Sequence, residues 1–465
     1  MRSNKHHIIL ATILFVVGSI GGWMIMSAFY PVNPKRPHQQ SALKPIVVDT
    51  TYAFIQYDKN HLYIGHDSSQ INRLCAQWQR LTHTHQGHIN IMHIGSSHVQ
   101  GGTLPHTIRY NILHAYPDLI ASRGMLFPYS AARKCNNPYD YSVRRSHYLD
   151  LTRCVYKEPQ EQLGLCGIAV TAVDSVATIG IRLKDEDLHY ATDQVVLLGH
   201  SRGGVTPLIE LRGGQQIPSR IDSIHHRYYY HLAAPTDSFT IVLPCTAGQS
   251  FALTGVMLTN PQPGFSYHSI GVNGASLNDY LRCPDFSEDL TLINPDLVIF
   301  GIGINDAASR SFDTLTFRQQ YQQLIDTIRS VNPNATFIFI TNNDSYRRIK
   351  RGQYSVNTNG ELARQVFYRL ADANGGAVWD QFEVMGGLRS MNQWRIAKLA
   401  QNDRVHFTNM GYQLIGNLFT NALFETLQRY DDSHPFNPMN PFIPKSSNPK
   451  QLKVNSASYH PNANR

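Results

Sequence analysis

No run of five or more Lys or Arg occurs in this sequence, no C-x-x-C pair, no internal repeat, and only 16% of its 465 residues are charged. Each absence excludes something. The formal net charge is +8, but the basic residues are scattered, which argues against nucleic acid as a partner and fits better with anionic lipid or polymer. The six cysteines (Cys75, Cys135, Cys154, Cys166, Cys245 and Cys283) have no zinc-like spacing, so no structural metal is expected. Cys135, Cys154 and Cys166 lie close enough in sequence for a local disulfide staple in an oxidising compartment, with the pairing open. Aromatics, by contrast, are plentiful, with 24 Tyr and 20 Phe. The composition is that of an ordinary globular protein with room for two or three domains of about 100–200 residues, and a Tyr-rich, weakly charged surface suits sugars.

At the N-terminus, Arg2 and Lys5 precede residues 8–30, which carry no charge. At ~1.5 Å per residue that stretch could cross a hydrocarbon core of ~30 Å. It has no obvious small-x-small cleavage site, and no cysteine follows it for lipidation. The reading is an uncleaved transmembrane signal anchor at residues 1–30 with the remainder outside the cytoplasm, then a Pro-containing linker at 31–45 and, at the other end, a mobile tail at 433–465 rich in Asn, Pro and Ser.

Between them the folded body divides in three. Residues 89–94, 297–301 and 337–341 are short apolar runs bounded by polar turns, the pattern of buried parallel strands. Phe317, Tyr321, Leu324, Ile325 and Ile328 share one helical face, as do Leu414, Leu418 and Ala422. A helix across 361–373 and a strand at 377–380 follow the same logic. From about residue 131 to 262 the pattern changes to alternating stretches such as 178–183, 194–198 and 238–243, divided by Gly, Pro and Asp, which predicts an inserted antiparallel β domain. The α/β part would then occupy 46–130 and 263–432.

Three motifs carry chemistry. Strand 89–94 runs into Gly95-Ser96-Ser97-His98, which puts a hydroxyl at the carboxyl edge of an open sheet, where such folds place their sites; Gly and Ser are also ordinary turn residues. Gly303-Ile304-Asn305-Asp306 follows strand 297–301 and offers a carboxamide able to donate to a developing oxyanion, or an Asx turn. Asp403-Arg404-Val405-His406 spaces a carboxylate and an imidazole so that one can orient the other, or forms a casual surface pair.

Taken in order, these blocks resemble the SGNH/GDSL hydrolase family: His93-Ile94-Gly95-Ser96-Ser97-His98 its first block, Gly271-Val272-Asn273-Gly274-Ala275-Ser276 its second, Gly303-Ile304-Asn305-Asp306 its third, and Asp403-Arg404-Val405-His406 its last. The resemblance covers about residues 85–130 and 265–430. It implies a flavodoxin-like three-layer α/β/α domain, interrupted here by a β-sandwich-like insertion and tethered by one N-terminal transmembrane helix. It further implies Ser97 as nucleophile, His406 as base, Asp403 as its orienting acid, and Ser97 N–H, Gly274 N–H and the Asn305 side chain as oxyanion donors, with no metal or organic cofactor. One departure stands out: the family's Asp before the serine is Ser96 here. By analogy with bacterial enzymes that remove or transfer O-acetyl groups on cell-wall glycan, the expected substrate is an acylated glycan such as peptidoglycan. The expected place is a bacterial inner membrane, single-pass, with the catalytic part periplasmic.

A competing serine exists. Gly199-His200-Ser201-Arg202-Gly203 fits the G-x-S-x-G elbow of α/β-hydrolases, which requires a strand, a tight turn and a packed helix; the residues that follow read instead as turn, strand, turn. A lipase using Ser201 and a non-catalytic glycan-binding protein are therefore the alternatives to the SGNH esterase. His83, His85 and His88 suggest a metal site only weakly, since no acid accompanies them, and Tyr228, Tyr229 and Tyr230 could stack on sugars or pack in a sheet.

Overall fold

In the computed structural model, which describes residues 43–184, 190, 192–260 and 262–437, the apolar runs assemble into a seven-stranded sheet. Its strands are β1 (Leu62–Ile64), β2 (His88–Gly95), β3 (Ile120–Ser122), β4 (Gly264–Gly271), β5 (Leu297–Gly301), β6 (Thr336–Ile340) and β7 (Ala377–Trp379), in the order β1-β7-β6-β5-β2-β4-β3. All pairs are parallel except β1 with β7 at the edge. Continuous burial along β5 and β6 explains why both are apolar at every position rather than alternately: a parallel sheet has helices on both faces.

The helices fall into two groups. In the first, α6 (Asn409–Ser433) packs on α1 (Ser69–Thr84) and α3 (Thr103–Ala115). In the second, α4 (Thr314–Val331) packs on α5 (Asn359–Asn374) and on the short helices Leu277–Leu281 and Phe286–Ile293. The one-turn α2 (Ser97–Gln100) follows β2 directly. Phe317, Tyr321, Leu324, Ile325 and Ile328 are all buried, and Asp313 caps α4 by accepting the Thr316 N–H at 2.6 Å, satisfying one of the free N–H groups of the first turn. Helix α5 ends at Gly375 in the left-handed region, φ 59°, the usual stop for a helix.

Between β3 and β4 the chain builds two antiparallel sheets. The five-stranded one includes Tyr141–Arg145, Val176–Leu183 and Ser238–Pro244; the other includes Asp150–Arg153, Ile168–Val173, Gln194–Arg202, Arg227–His231 and Ser250–Thr259, with Gly124–Leu126 at its side. Ala177, Ile179, Ile181 and Leu183 alternate inward against Phe239, Ile241 and Leu243, as the two-residue period of a half-buried sheet demands. Tyr228 packs edge-on against Phe251 and the Tyr230 hydroxyl donates to the Pro207 carbonyl at 2.6 Å, so these two tyrosines belong to the core.

Two expectations need correction. Among the described residues no helix is long and apolar enough to cross a membrane. The 25-residue α6 has the length, but Glu425, Arg429, Asp431 and Asp432 interrupt its last turns, where polar side chains meet water rather than lipid. This overturns the expected transmembrane helix, and with it the membrane partner and the inner-membrane, periplasmic placement; residues 1–30, on which they rested, lie outside the described residues, as does the tail beyond residue 437. The cysteines form no staple either: all six are free thiols.

Candidate active site

Three strands end at one level. Gly95 of β2 is in register with Gly271 of β4 on one side and Gly301 of β5 on the other, so the carboxyl edge of the sheet is floored by glycine. The reason is close approach. A Cβ on Gly95 would lie 2.3 Å from Val99 Cγ2 and 2.8 Å from the Gly301 carbonyl, and one on Gly271 would lie 2.5 Å from the Gln100 amide. Without side chains there, α2 can settle directly on the sheet edge and present Ser97 at its first position.

The Ser97 hydroxyl lies 2.7 Å from His406 Nε2, and His406 Nδ1 lies 2.7 Å from Asp403 Oδ2. With Nδ1–H donating to the carboxylate, Nε2 is left as the acceptor for the serine proton. The Asp403–His406 turn is built for this. Asp403 Oδ1 accepts the Val405 and His406 N–H groups, both at 3.0 Å, and Arg404 takes a left-handed conformation, φ 60°, its guanidinium lying over the Tyr354 ring at 4.6 Å and the Tyr346 ring at 5.2 Å. Partial burial works to raise the Asp403 pKa, but the hydrogen bonds from the His406 ring and from these amides outweigh it and hold the carboxyl at about 2, so it stays charged.

The remaining blocks join by hydrogen bonds. Asn305 Nδ2 donates to the Ala275 carbonyl at 2.9 Å, and Asp306 Oδ1 accepts the Leu277 N–H at 3.2 Å. Burial pushes the Asp306 carboxyl up to about 6. Gly274 is exposed, with φ 84°. Ser96 is fully buried, its Oγ without a hydrogen-bond partner among the described residues, while its carbonyl accepts the Val99 and Gln100 N–H groups.

The comparisons with known proteins bear on this arrangement. Residues 237–414 match the family described as "GDSL-like Lipase/Acylhydrolase family". The chain carries a GDSL/SGNH-type hydrolase domain. The matched stretch contains Gly274, Asn305, Asp403 and His406; Ser97 lies upstream of it, on α2 directly after β2, the strand that pairs between β4 and β5. A structure of a peptidoglycan O-acetylesterase aligns with a TM-score of 0.62 and 20% identity, over 79% of this chain and 99% of that one, which shows a shared fold. An acetyl xylan esterase (20% identity, 34% of this chain and 81% of that one) and a lipase/acylhydrolase from Enterococcus faecalis (22%, 35% and 77%) both align with a TM-score of 0.28. No curated protein matches.

The GDSL/SGNH domain also contains residues near its candidate triad that the motifs alone do not single out. His98, half-buried beside the triad, has Nδ1 2.7 Å from the Tyr412 hydroxyl and its ring 5.3 Å from that of His406. Burial, reinforced by His406, pushes its pKa down to about 3, so it is neutral and adds no charge next to the base. No sequence signal distinguishes it, because its partner Tyr412 is 314 residues away. Ser201, the competing serine, lies within the strand Gln194–Arg202 opposite Phe251, and its Oγ is buried without a partner among the described residues. The chain continues through Gly203 and Gly204 to the strand Leu208–Glu210. The helix that an elbow requires is missing at that point, and the adjacent His200 is engaged by Asp285 at 2.7 Å.

Proposed function

We propose that this protein is a serine esterase that removes O-acyl groups, most specifically O-acetyl groups, from a glycan such as peptidoglycan, with Ser97 as nucleophile. The observation that carries the reading is the relay Ser97 Oγ to His406 Nε2 and His406 Nδ1 to Asp403, each 2.7 Å. In the first half-reaction Ser97 attacks the ester carbonyl as His406 takes its proton; the Ser97 N–H, the Gly274 N–H and the Asn305 carboxamide receive the oxyanion; His406 then protonates the leaving sugar hydroxyl. Water, activated by the same imidazole, releases the acyl group as carboxylate in the second. The Asp403 carboxylate orients the ring and balances the imidazolium formed in both steps.

Support for a bulky acylated polymer comes from exposure. The Asp403 side chain is 46% accessible and that of His406 32%, so a short acyl substituent on a large chain can reach Ser97 without the polymer being engulfed. The likeness to the peptidoglycan O-acetylesterase, which extends over 99% of that chain, supports the glycan; an acyltransferase reaction would use the same acyl-enzyme with an alcohol in place of water. The test is fluorophosphonate labelling and acetate release from O-acetylated peptidoglycan by the wild type, Ser97→Ala and Ser201→Ala. Loss of both in Ser97→Ala alone is expected. Labelling that survives Ser97→Ala would sink the assignment, and labelling without release of acetate from the glycan would sink the substrate.

A further inference from the structure

The backbone of Asn273 is gripped from two sides, one on each of its flanking peptides, and one grip comes from the inserted sheets. The Asn273 N–H donates to Gln100 Oε1 at 2.6 Å, a side chain on Ser97's own helix. The Asn273 carbonyl accepts a hydrogen bond from the guanidinium Nη2 of Arg153, the last residue of the strand Asp150–Arg153. That strand end is itself fixed, since the Cys154 carbonyl accepts from Arg282 Nη2 at 2.7 Å, and Arg282 also pairs with Asp279 at 2.8 Å.

The carbonyl of residue 273 and the N–H of residue 274 belong to one planar amide. Fixing the oxygen therefore fixes the direction of the N–H. Little else does so: nothing lies within 4 Å of where a Gly274 Cβ would be, so neighbouring side chains do not hold this glycine by packing, and its φ of 84° is one that glycine shares with many alternatives. A cation on the carbonyl also draws electron density through the amide and makes the N–H a stronger donor. We propose that Arg153 is a positioning residue of the oxyanion hole, which aims and polarises the Gly274 N–H by binding the Asn273 carbonyl. The inference rests on the reading of Gly274 as an oxyanion donor, and gives the inserted sheets a part in the chemistry without contact with the reacting atoms.

The test compares Arg153→Ala, Arg153→Lys and Ser97→Ala in the full chain, reading kcat and KM for 4-nitrophenyl acetate, the inhibition constant of a phenylboronic acid as tetrahedral mimic, and Tm. Loss of a whole oxyanion donor costs about 10²–10³ in kcat; loss of its aim should cost about tenfold. Arg153→Ala is expected to lower kcat by about that factor with KM within about twofold, to weaken the boronate in proportion, and to be largely restored by Arg153→Lys, which keeps a cation. A wild-type kcat and boronate affinity in Arg153→Ala would overturn the proposal, as would equal losses in kcat and Tm that Lys does not restore. If Arg153→Ala does not fold, Arg153→Lys and Arg153→Gln carry the comparison: Lys must exceed Gln in kcat, and equality overturns the proposal. Activity surviving in Ser97→Ala would instead bring down the esterase reading itself, whereas an inactive Ser97→Ala beside a fully active Arg153→Ala removes only the role of Arg153.

Discussion

Asn305 shows how much of the proposed chemistry depends on one side chain and on the glycine that sets it. Its carboxamide already spends one N–H on the Ala275 carbonyl, which leaves the second for an oxyanion. Asn305→Ala should therefore lower kcat by about 10²–10³ with little change in KM, because the bond it supplies forms only as charge develops; steady-state kinetics on an acetyl ester reads this directly. Gly303 is the backbone counterpart. Its φ is 126°, and a Cβ would lie 2.9 Å from Phe317 Cζ. Gly303→Ala should cost about 1–3 kcal/mol in a denaturant titration and lower kcat as well, since displacement of the helix Ile304–Ala308 carries Asn305 with it. At this scale Ser97, Asn305, Asp403 and His406 were legible because each stands in a short motif at the end of a strand or the start of a helix. Gln100, His98 and Arg153 were not, because their partners, Asn273, Tyr412 and again Asn273, are distant in sequence and only the fold brings them close.

Among the elements, legibility followed the purity of the apolar pattern. β5 and β6 could be read to within a residue, since burial on both faces leaves no room for polar side chains. β4 could not, although it is nearly as buried. Its sequence, GFSYHSIG, places Ser266 and His268 inside, where Ser266 meets Ser122 Oγ at 2.6 Å and His88 at 2.8 Å, and His268 Nδ1 accepts the Met125 N–H at 3.1 Å. Polar groups so paired cost little to bury, but they erase the signal of a core strand. A second buried polar group ties the inserted sheets to the helix Phe286–Ile293. Asp289 accepts the Leu165 N–H at 3.0 Å, and burial pushes its carboxyl up to about 7. The folded protein thus holds a proton that the unfolded chain, with a value near 3.9, releases. Stability from this group is complete at low pH and falls as pH rises through about 4 to 7. Asp289→Asn should remove most of that loss, raising Tm at pH 8 more than at pH 5, by an amount corresponding to about 2–4 kcal/mol at the higher pH. Equal Tm shifts at both pH values would contradict the assignment.

For the molecule as a whole, the active-site half of the fold is split in sequence, with Ser97 before the inserted sheets and every other candidate residue after them. Parallel pairing of β2 with β4 and β5 closes that gap, which is why a sequence match limited to residues 237–414 still belongs with a serine upstream of it. The scale of the whole molecule is also where local strings mislead most. The sharper serine string, around Ser201, lies in the middle of an antiparallel sheet, and only its surroundings disqualify it; a glycine-rich turn and a further strand take the place of the helix that would have exposed the hydroxyl. The expected membrane placement rested on residues 1–30, which lie outside the described residues, and among the described residues no helix is long and apolar enough to cross a membrane. The most direct test of the account is to react the purified full-length protein with a fluorophosphonate, digest it, and locate the adduct by mass spectrometry. A single phosphonylated residue, Ser97, is predicted; an adduct on Ser201, or none in a folded protein that still hydrolyses acetyl esters, would contradict it.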